Sequence, residues 1–156
     1  MKNILSKLVA MATTVFLSGC DLVLDSLTPD AVEVTGIIID TFPTTDDGSS
    51  WDLLDDADLT FSIASGTSVL YEDGVYYEDV TADNLPLSMF LNTAYQLPTL
   101  NQSYTIQLYD DDDFSADDFI GQASFNPNDF AIAGEPEIPF SSGTIAGRVL
   151  VNWIRE

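Results

Sequence analysis

The densest chemistry in this sequence is a run of carboxylates, Asp110-Asp111-Asp112-Asp113-Phe114-Ser115-Ala116-Asp117-Asp118. Like charges packed this closely repel one another, so the segment is either well solvated or neutralised by a cation. Carboxylate oxygens are hard ligands, and hard oxygen ligands select Ca²⁺ or Mg²⁺ over softer metals. The EF-hand loop is the first pattern to test, and it fails. Counted from Asp110, Phe114 and Ser115 fall where an oxygen ligand and a glycine are required, and Gly121 falls where a bidentate Glu is required. Counting from Asp112 fails too, because Ala123 then takes the last position. A solvated acidic loop that binds nothing is the competing reading.

A different spacing does match. Tyr104-Thr105-Ile106-Gln107-Leu108-Tyr109 reads as a strand running into Asp110-x-Asp112, then a turn, then Asp118-Phe119-Ile120-Gly121. This resembles the third calcium loop of C2 domains. Asp110, Asp112 and Asp118 match its three acidic positions. The geometry is reasonable, since residues i and i+2 of an extended segment point the same way and Asp111 points away. A first loop of the same family would need two aspartates about six apart before a strand. Asp52 and Asp58 in Trp51-Asp52-Leu53-Leu54-Asp55-Asp56-Ala57-Asp58 supply them. Asp46 or Asp47 could replace Asp52, because Thr44-Thr45-Asp46-Asp47-Gly48-Ser49-Ser50 stands where the family has an aspartate-glycine loop. Leu59 also stands where the family has a proline. The resemblance implies a C2-like sandwich over residues 32–156, with Ca²⁺ as its cofactor and Asp52, Asp58, Asp110, Asp112 and Asp118 as ligands.

Charge narrows the partners. The chain of 156 residues has 26 acidic and four basic residues, no histidine and one cysteine. Nucleic-acid backbones need clustered Lys and Arg, which are missing. Many C2 domains dock on anionic lipid through a lysine-rich strand, and no such strand exists here. Phe114 keeps an apolar loop tip, while Asp113 takes a tip position that is often basic. Imidazole-based catalysis, an internal disulfide and a thiolate cluster are excluded. Paired carboxylates do glycosidase work only when one lies in an apolar cleft with a raised pKa, whereas these sit in polar loops. The expectation is a protein that is not an enzyme and takes no small-molecule substrate. The tyrosines and Trp51 read as packing.

The N-terminus carries a second motif. Lys2 and Lys7 flank a short apolar stretch, Leu8 to Leu17, too short to span a bilayer. Leu17-Ser18-Gly19-Cys20 follows and resembles the lipobox of bacterial lipoproteins. The resemblance implies a signal peptide over 1–19, cleavage before Cys20 and acylation of that cysteine. Two or more acyl chains anchor a protein stably, whereas one binds marginally. Residues 20–31 then read as a lipidated terminus and tether, and Arg148 and Arg155 are the basic residues a mature chain keeps. The implied place is the bacterial cell envelope, membrane-bound through Cys20, with a protein partner there.

The elements that would position these groups alternate with period two. Val32 to Ile39 is β-branched and apolar, and Leu59, Phe61 and Ile63 point one way. Val69 to Tyr71 and Val75 to Val80 flank Glu72-Asp73-Gly74, which predicts a hairpin. Leu85 to Leu91, Tyr104 to Leu108, Phe119 to Phe125 and Ile145 to Ile154 also alternate. No long segment shows a helical period. The pattern predicts one all-β domain, an antiparallel β-sandwich of seven to eight strands. A calcium-independent sandwich of immunoglobulin type, with acidic loops for solubility, is the alternative.

Overall fold

The computed structural model describes residues 28–45, 48–49, 51, 56–72, 74–111 and 116–155. Cys20, Asp46, Asp47, Asp52, Asp112, Asp113 and Phe114 lie outside the described residues. Among those described, nine strands form two antiparallel sheets. They are β1 (Ala31–Thr41), β2 (Ala57–Ser65), β3 (Ser68–Glu72), β4 (Tyr77–Val80), β5 (Leu87–Gln96), β6 (Tyr104–Asp110), β7 (Asp118–Phe125), β8 (Glu137–Ser141) and β9 (Ala146–Ile154). One sheet has the order β5-β1-β9-β8, and the other β3-β2-β6-β7 with β4 also paired to β2. The predicted antiparallel sandwich is therefore what the chain forms.

Alternation explains the core. Val32, Val34, Ile37 and Ile39 of β1 face Leu59, Phe61 and Ile63 of β2, and Tyr104, Ile106 and Leu108 of β6 complete the facing layer. Burial of this apolar surface is the main drive that pairs the sheets. β1 changes parity between Val34 and Ile37 because its register shifts at Thr35-Gly36. A Cβ at Gly36 would lie 2.6 Å from the Met89 carbonyl oxygen, so only glycine fits this shift. On the outer face, Arg148 of β9 ties three strands together. It donates to both carboxylate oxygens of Asp40 at 3.2 and 2.8 Å and to Glu137 at 2.9 Å. Asp40 first, then Glu137, hold its guanidinium well above the ordinary arginine range.

Three expectations need correction. The segment around Glu72-Asp73-Gly74 does not close a two-strand hairpin. β3 pairs with Ser62–Ser65 of β2 while β4 pairs with Ala57 and Leu59, so the two lie end to end along one edge of β2. The tight turn is Gly66-Thr67 instead, where Gly66 takes a left-handed φ of 58°. The strand number rises above the predicted seven to eight because Glu137–Ser141 forms an additional strand, β8, paired to β9. Finally, Phe119 does not share a face with Gly121, Ala123 and Phe125. The β6–β7 register shifts between Leu108 and Tyr109, making Ile120 an extra residue. Ile120 turns inward, and Phe119 is exposed against Tyr109, with ring centroids 5.6 Å apart.

Antiparallel connectivity sorts the loops onto two ends. The terminal end carries Asp30, whose N–H donates to the Ile154 carbonyl at 2.8 Å, together with the Gly66-Thr67 turn and segments 97–103 and 126–136. Of the described residues, the acidic end carries 42–45, 56, 81–86, 111, 116–117 and 142–145. At the terminal end the Tyr104 hydroxyl donates to the Thr99 carbonyl at 2.7 Å and accepts the Thr99 N–H at 3.1 Å. This is the geometry of a tyrosine corner, in which a phenol at a strand start binds backbone just upstream. Burial pushes the Tyr104 phenol up, and the Thr99 backbone contact partly offsets that shift.

Candidate functional site

Three of the five expected ligands are described, and all three lie at the acidic end of one sheet. β2, β6 and β7 are neighbours, and their register sets Leu59 opposite Asp110 and Asp110 opposite Asp118. The Ile120 bulge matters here. It shifts the pairing by one residue, so that Asp118 falls opposite Asp110. Directly paired residues of antiparallel strands share a face, with their Cβ atoms about 5 Å apart. Asp110 is fully buried, at 0% exposure, while Asp118 is exposed.

Hydrogen bonds bind the first two carboxylates into the backbone. The Asp58 N–H donates to Asp110 Oδ1 at 2.6 Å, and the Asp111 N–H donates to the Asp58 carbonyl at 2.8 Å. Asp58 Oδ1 in turn accepts the Asp79 N–H at 2.8 Å. Asp79 has φ 52°, in the left-handed region that non-glycine residues enter at a cost, although aspartate tolerates it better than most. Asp58 therefore holds β4 against the end of β2. A buried carboxylate needs such donors, because desolvating its charge without them costs several kcal/mol, on the order of 2–7 for even a neutral polar group. Just beyond β4, Thr81 and Asn84 cap the 3₁₀ turn Ala82–Asn84, with Asn84 Oδ1 accepting the Thr81 N–H at 2.7 Å.

Alternation sends Asp111 to the opposite face from Asp110. There it lines a cavity of about 490 Å³ with Thr60, Ser62, Glu72, Tyr109 and Asp117. Ser62 and Thr60 form a polar floor that is 3% and 9% exposed. The Ser62 hydroxyl donates to Gln107 Oε1 at 3.1 Å, and the Thr60 hydroxyl donates to the Val75 carbonyl at 3.4 Å.

Chemically, the acidic end offers oxygen donors alone, a set that suits a hard cation. Among the described residues no basic side chain competes for it: Arg148 is engaged on the outer face of the other sheet, and Arg155 lies at the terminal end. Among the described residues no three His, Cys, Asp or Glu side chains are already gathered as a ligand shell. Asp52 and Asp112 would have to complete one, and both lie outside the described residues. Sequence reasoning missed Asp79, whose link to Asp58 spans 21 positions and depends on β4 lying along β2. It also missed that Asp117 and Glu72 line the same cavity as Asp111. No helix of the described residues is long and apolar enough to cross a membrane. No protein-family profile matches the chain, and no curated protein matches it either.

Proposed function

We propose that this chain is a non-enzymatic, calcium-binding, C2-like lipoprotein of the bacterial envelope, acting as a calcium-stabilised interaction module. Asp52, Asp58, Asp110, Asp112 and Asp118 are the ligands of this proposal, and Cys20 is the acylated anchor. The observation that supports it most is the row of adjacent strand ends at Asp58, Asp110 and Asp118. Among the described residues, oxygen donors gather there with no basic side chain beside them. Calcium would supply the missing positive charge between loops that otherwise repel. Calcium that binds only the folded state at one hundred times its dissociation constant adds about 2.7 kcal/mol. Titrating calcium into the lipid-free mature chain should raise its melting temperature, and Asp112→Asn should remove most of the rise. Equal melting in millimolar calcium and in chelator would end the calcium proposal. For the anchor, mass spectrometry of membrane-extracted protein should find acylated Cys20 at the N-terminus, and an intact Met1 would contradict it.

One observation favours a second reading, a calcium-independent structural sandwich. Asp110 Oδ1 and Asp58 Oδ1 already accept backbone N–H groups, so these carboxylates could serve as structural acceptors alone. The same titration separates the two readings.

A further inference from the structure

We infer that the cavity on the outer face of β2 and β6 binds an organic cation rich in N–H donors, an alkylammonium or a guanidinium group. This goes beyond the calcium reading and does not rest on it, because Glu72, Asp111 and Asp117 are not among the calcium ligands proposed above. Alternation along β2 turns Thr60 and Ser62 away from the core that Leu59, Phe61 and Ile63 fill, yet the two are 9% and 3% exposed. What covers them is the chain that leaves β3: the Val75 carbonyl accepts the Thr60 hydroxyl at 3.4 Å, and Glu72 and Gly74 form one wall. Tyr109, Asp111 and Asp117 form the other. The space between is about 490 Å³, inside the range of about 300–1,000 Å³ usual for small-ligand sites. A bare metal ion would fill a small part of it, since even a water molecule takes only about 30 Å³ of the liquid.

Hydrogen bonds within the protein fix the polarity of the lining. The Ser62 hydroxyl donates to Gln107 Oε1 at 3.1 Å, and Gln107 Nε2 donates onward to Gln122 Oε1 at 3.4 Å. This relay draws the Ser62 hydrogen along the sheet and leaves an oxygen acceptor on the cavity floor. The Thr60 hydrogen likewise goes to the Val75 carbonyl. Ionised Glu72, Asp111 and Asp117 accept and cannot donate. Of the polar side chains that line the cavity among the described residues, only Tyr109 has a hydroxyl hydrogen to offer a ligand. Such a lining repels anions and fits sugar hydroxyls poorly, because they also carry oxygens that need donors. An ammonium brings three N–H groups and a guanidinium five, and neither brings an acceptor. Tyr109 adds an aromatic surface suited to a cation, and Phe119 holds it in an edge contact with ring centroids 5.6 Å apart and planes at 67°. No lysine or arginine among the described residues lines the cavity, and the formal charge of −22 draws cations toward the molecule. A basic side chain of a partner protein and a free polyamine share this chemistry.

The test is titration calorimetry of the full chain in calcium-free buffer. Spermidine stands for a free polyamine and acetylarginine amide for a partner's side chain. Tetramethylammonium has the charge without an N–H donor. Saturable one-to-one binding of spermidine or acetylarginine amide supports the site, and the tighter of the two names the source. Glu72→Gln combined with Asp117→Asn should weaken that binding by about tenfold. Both side chains are exposed, so neither substitution opens the core. Asp129→Asn combined with Glu135→Gln removes the same two charges at the terminal end and should leave binding unchanged. Tetramethylammonium should bind about tenfold more weakly than the better amine. No saturable binding of either amine overturns the inference. So does an equal loss in the terminal-end variant, which would reduce the attraction to counterion binding, or tetramethylammonium binding as tightly as the amines. Calcium that competes one for one with the amine, and loses affinity in the Glu72→Gln, Asp117→Asn variant, would make the cavity a metal site and overturn it too. Because the titration holds no calcium, its failure leaves the melting shift expected from calcium untouched, and the absence of that shift leaves amine binding untouched.

Discussion

At the terminal end, the strands are joined by neutral contacts: Tyr104 holds both backbone groups of Thr99, and Gln102 donates to the Ser65 hydroxyl. At the acidic end, the corresponding work is done by carboxylates, with Asp110 accepting from Asp58 and Asp58 accepting from Asp79. Both solutions satisfy backbone donors where ladders run out. They differ in how they respond to the solution. A phenol–amide contact is indifferent to cations, whereas neighbouring carboxylates destabilise one another until something positive arrives. On the proposed function, one fold then has an end whose stability is fixed by packing and an end whose stability is set by its ionic surroundings.

Tyr104→Phe should break the comparison at the fixed end, and with the largest effect. Both Thr99 groups lose their partner at a corner where Tyr104 is fully buried and Thr99 itself is exposed, at about 1–3 kcal/mol for each group that stays dry. Urea unfolding should show the same loss in calcium and in chelator. A loss that depends on calcium would mean that the two ends are not independent.

Asp110→Asn tests the responsive end. The amide oxygen can still accept the Asp58 N–H, but the charge is gone. In chelator the stability should change by less than about 1 kcal/mol, because one hydrogen bond is kept and one repulsive charge is removed. In saturating calcium most of the gain of about 2.7 kcal/mol should vanish. Loss of stability of the same size under both conditions would make Asp110 a purely structural carboxylate.

Alkaline pH sharpens the contrast. Burial raises the Tyr104 phenol above its value in the unfolded chain, which lies near 10. Its contribution is then complete below about pH 10 and is lost as pH rises through the folded value. Thermal melts above pH 10 should fall in the native chain, and less steeply in Tyr104→Phe.

The smallest effect is expected at Asp79. Glycine accepts φ 52° freely and keeps the N–H that Asp58 binds, yet it costs entropy in the unfolded chain. Asp79→Gly should stabilise by about 0.5 kcal/mol at most, and more in chelator than in calcium, since it also removes a charge beside Asp58. Differential scanning calorimetry in both buffers would resolve the sign.

Much of the sandwich was legible because strands buried on one face write their period into the sequence, as Tyr104, Ile106 and Leu108 do. The acidic end was legible for a related reason. Asp58, Asp110 and Asp118 flank apolar alternation, so the strands that bury Leu59 and Leu108 also carry these aspartates to one end. Bulges were not legible. The extra residue at Ile120 changes which face Phe119 occupies, and nothing in Asp118-Phe119-Ile120-Gly121 marks it beyond the glycine. The hairpin expected at Glu72-Asp73-Gly74 was misread because a local turn signal says nothing about a third strand: β2 pairs with β3 and with β4 along the same edge. The Asp58–Asp79 contact was hidden for the same reason, being a consequence of that shared edge.

The central claim, that one end responds to calcium and the other does not, can be read residue by residue from the backbone amide spectrum of the lipid-free chain. On titration with calcium, the amides of Asp58, Asp79, Asp111 and Asp118 should shift and saturate, while those of Gly66, Thr99 and Asn101 stay in place. Sodium chloride at matched ionic strength should not reproduce the shifts, because screening acts on every exposed charge alike. Shifts spread evenly over both ends, or identical spectra in calcium and in chelator, would contradict the account.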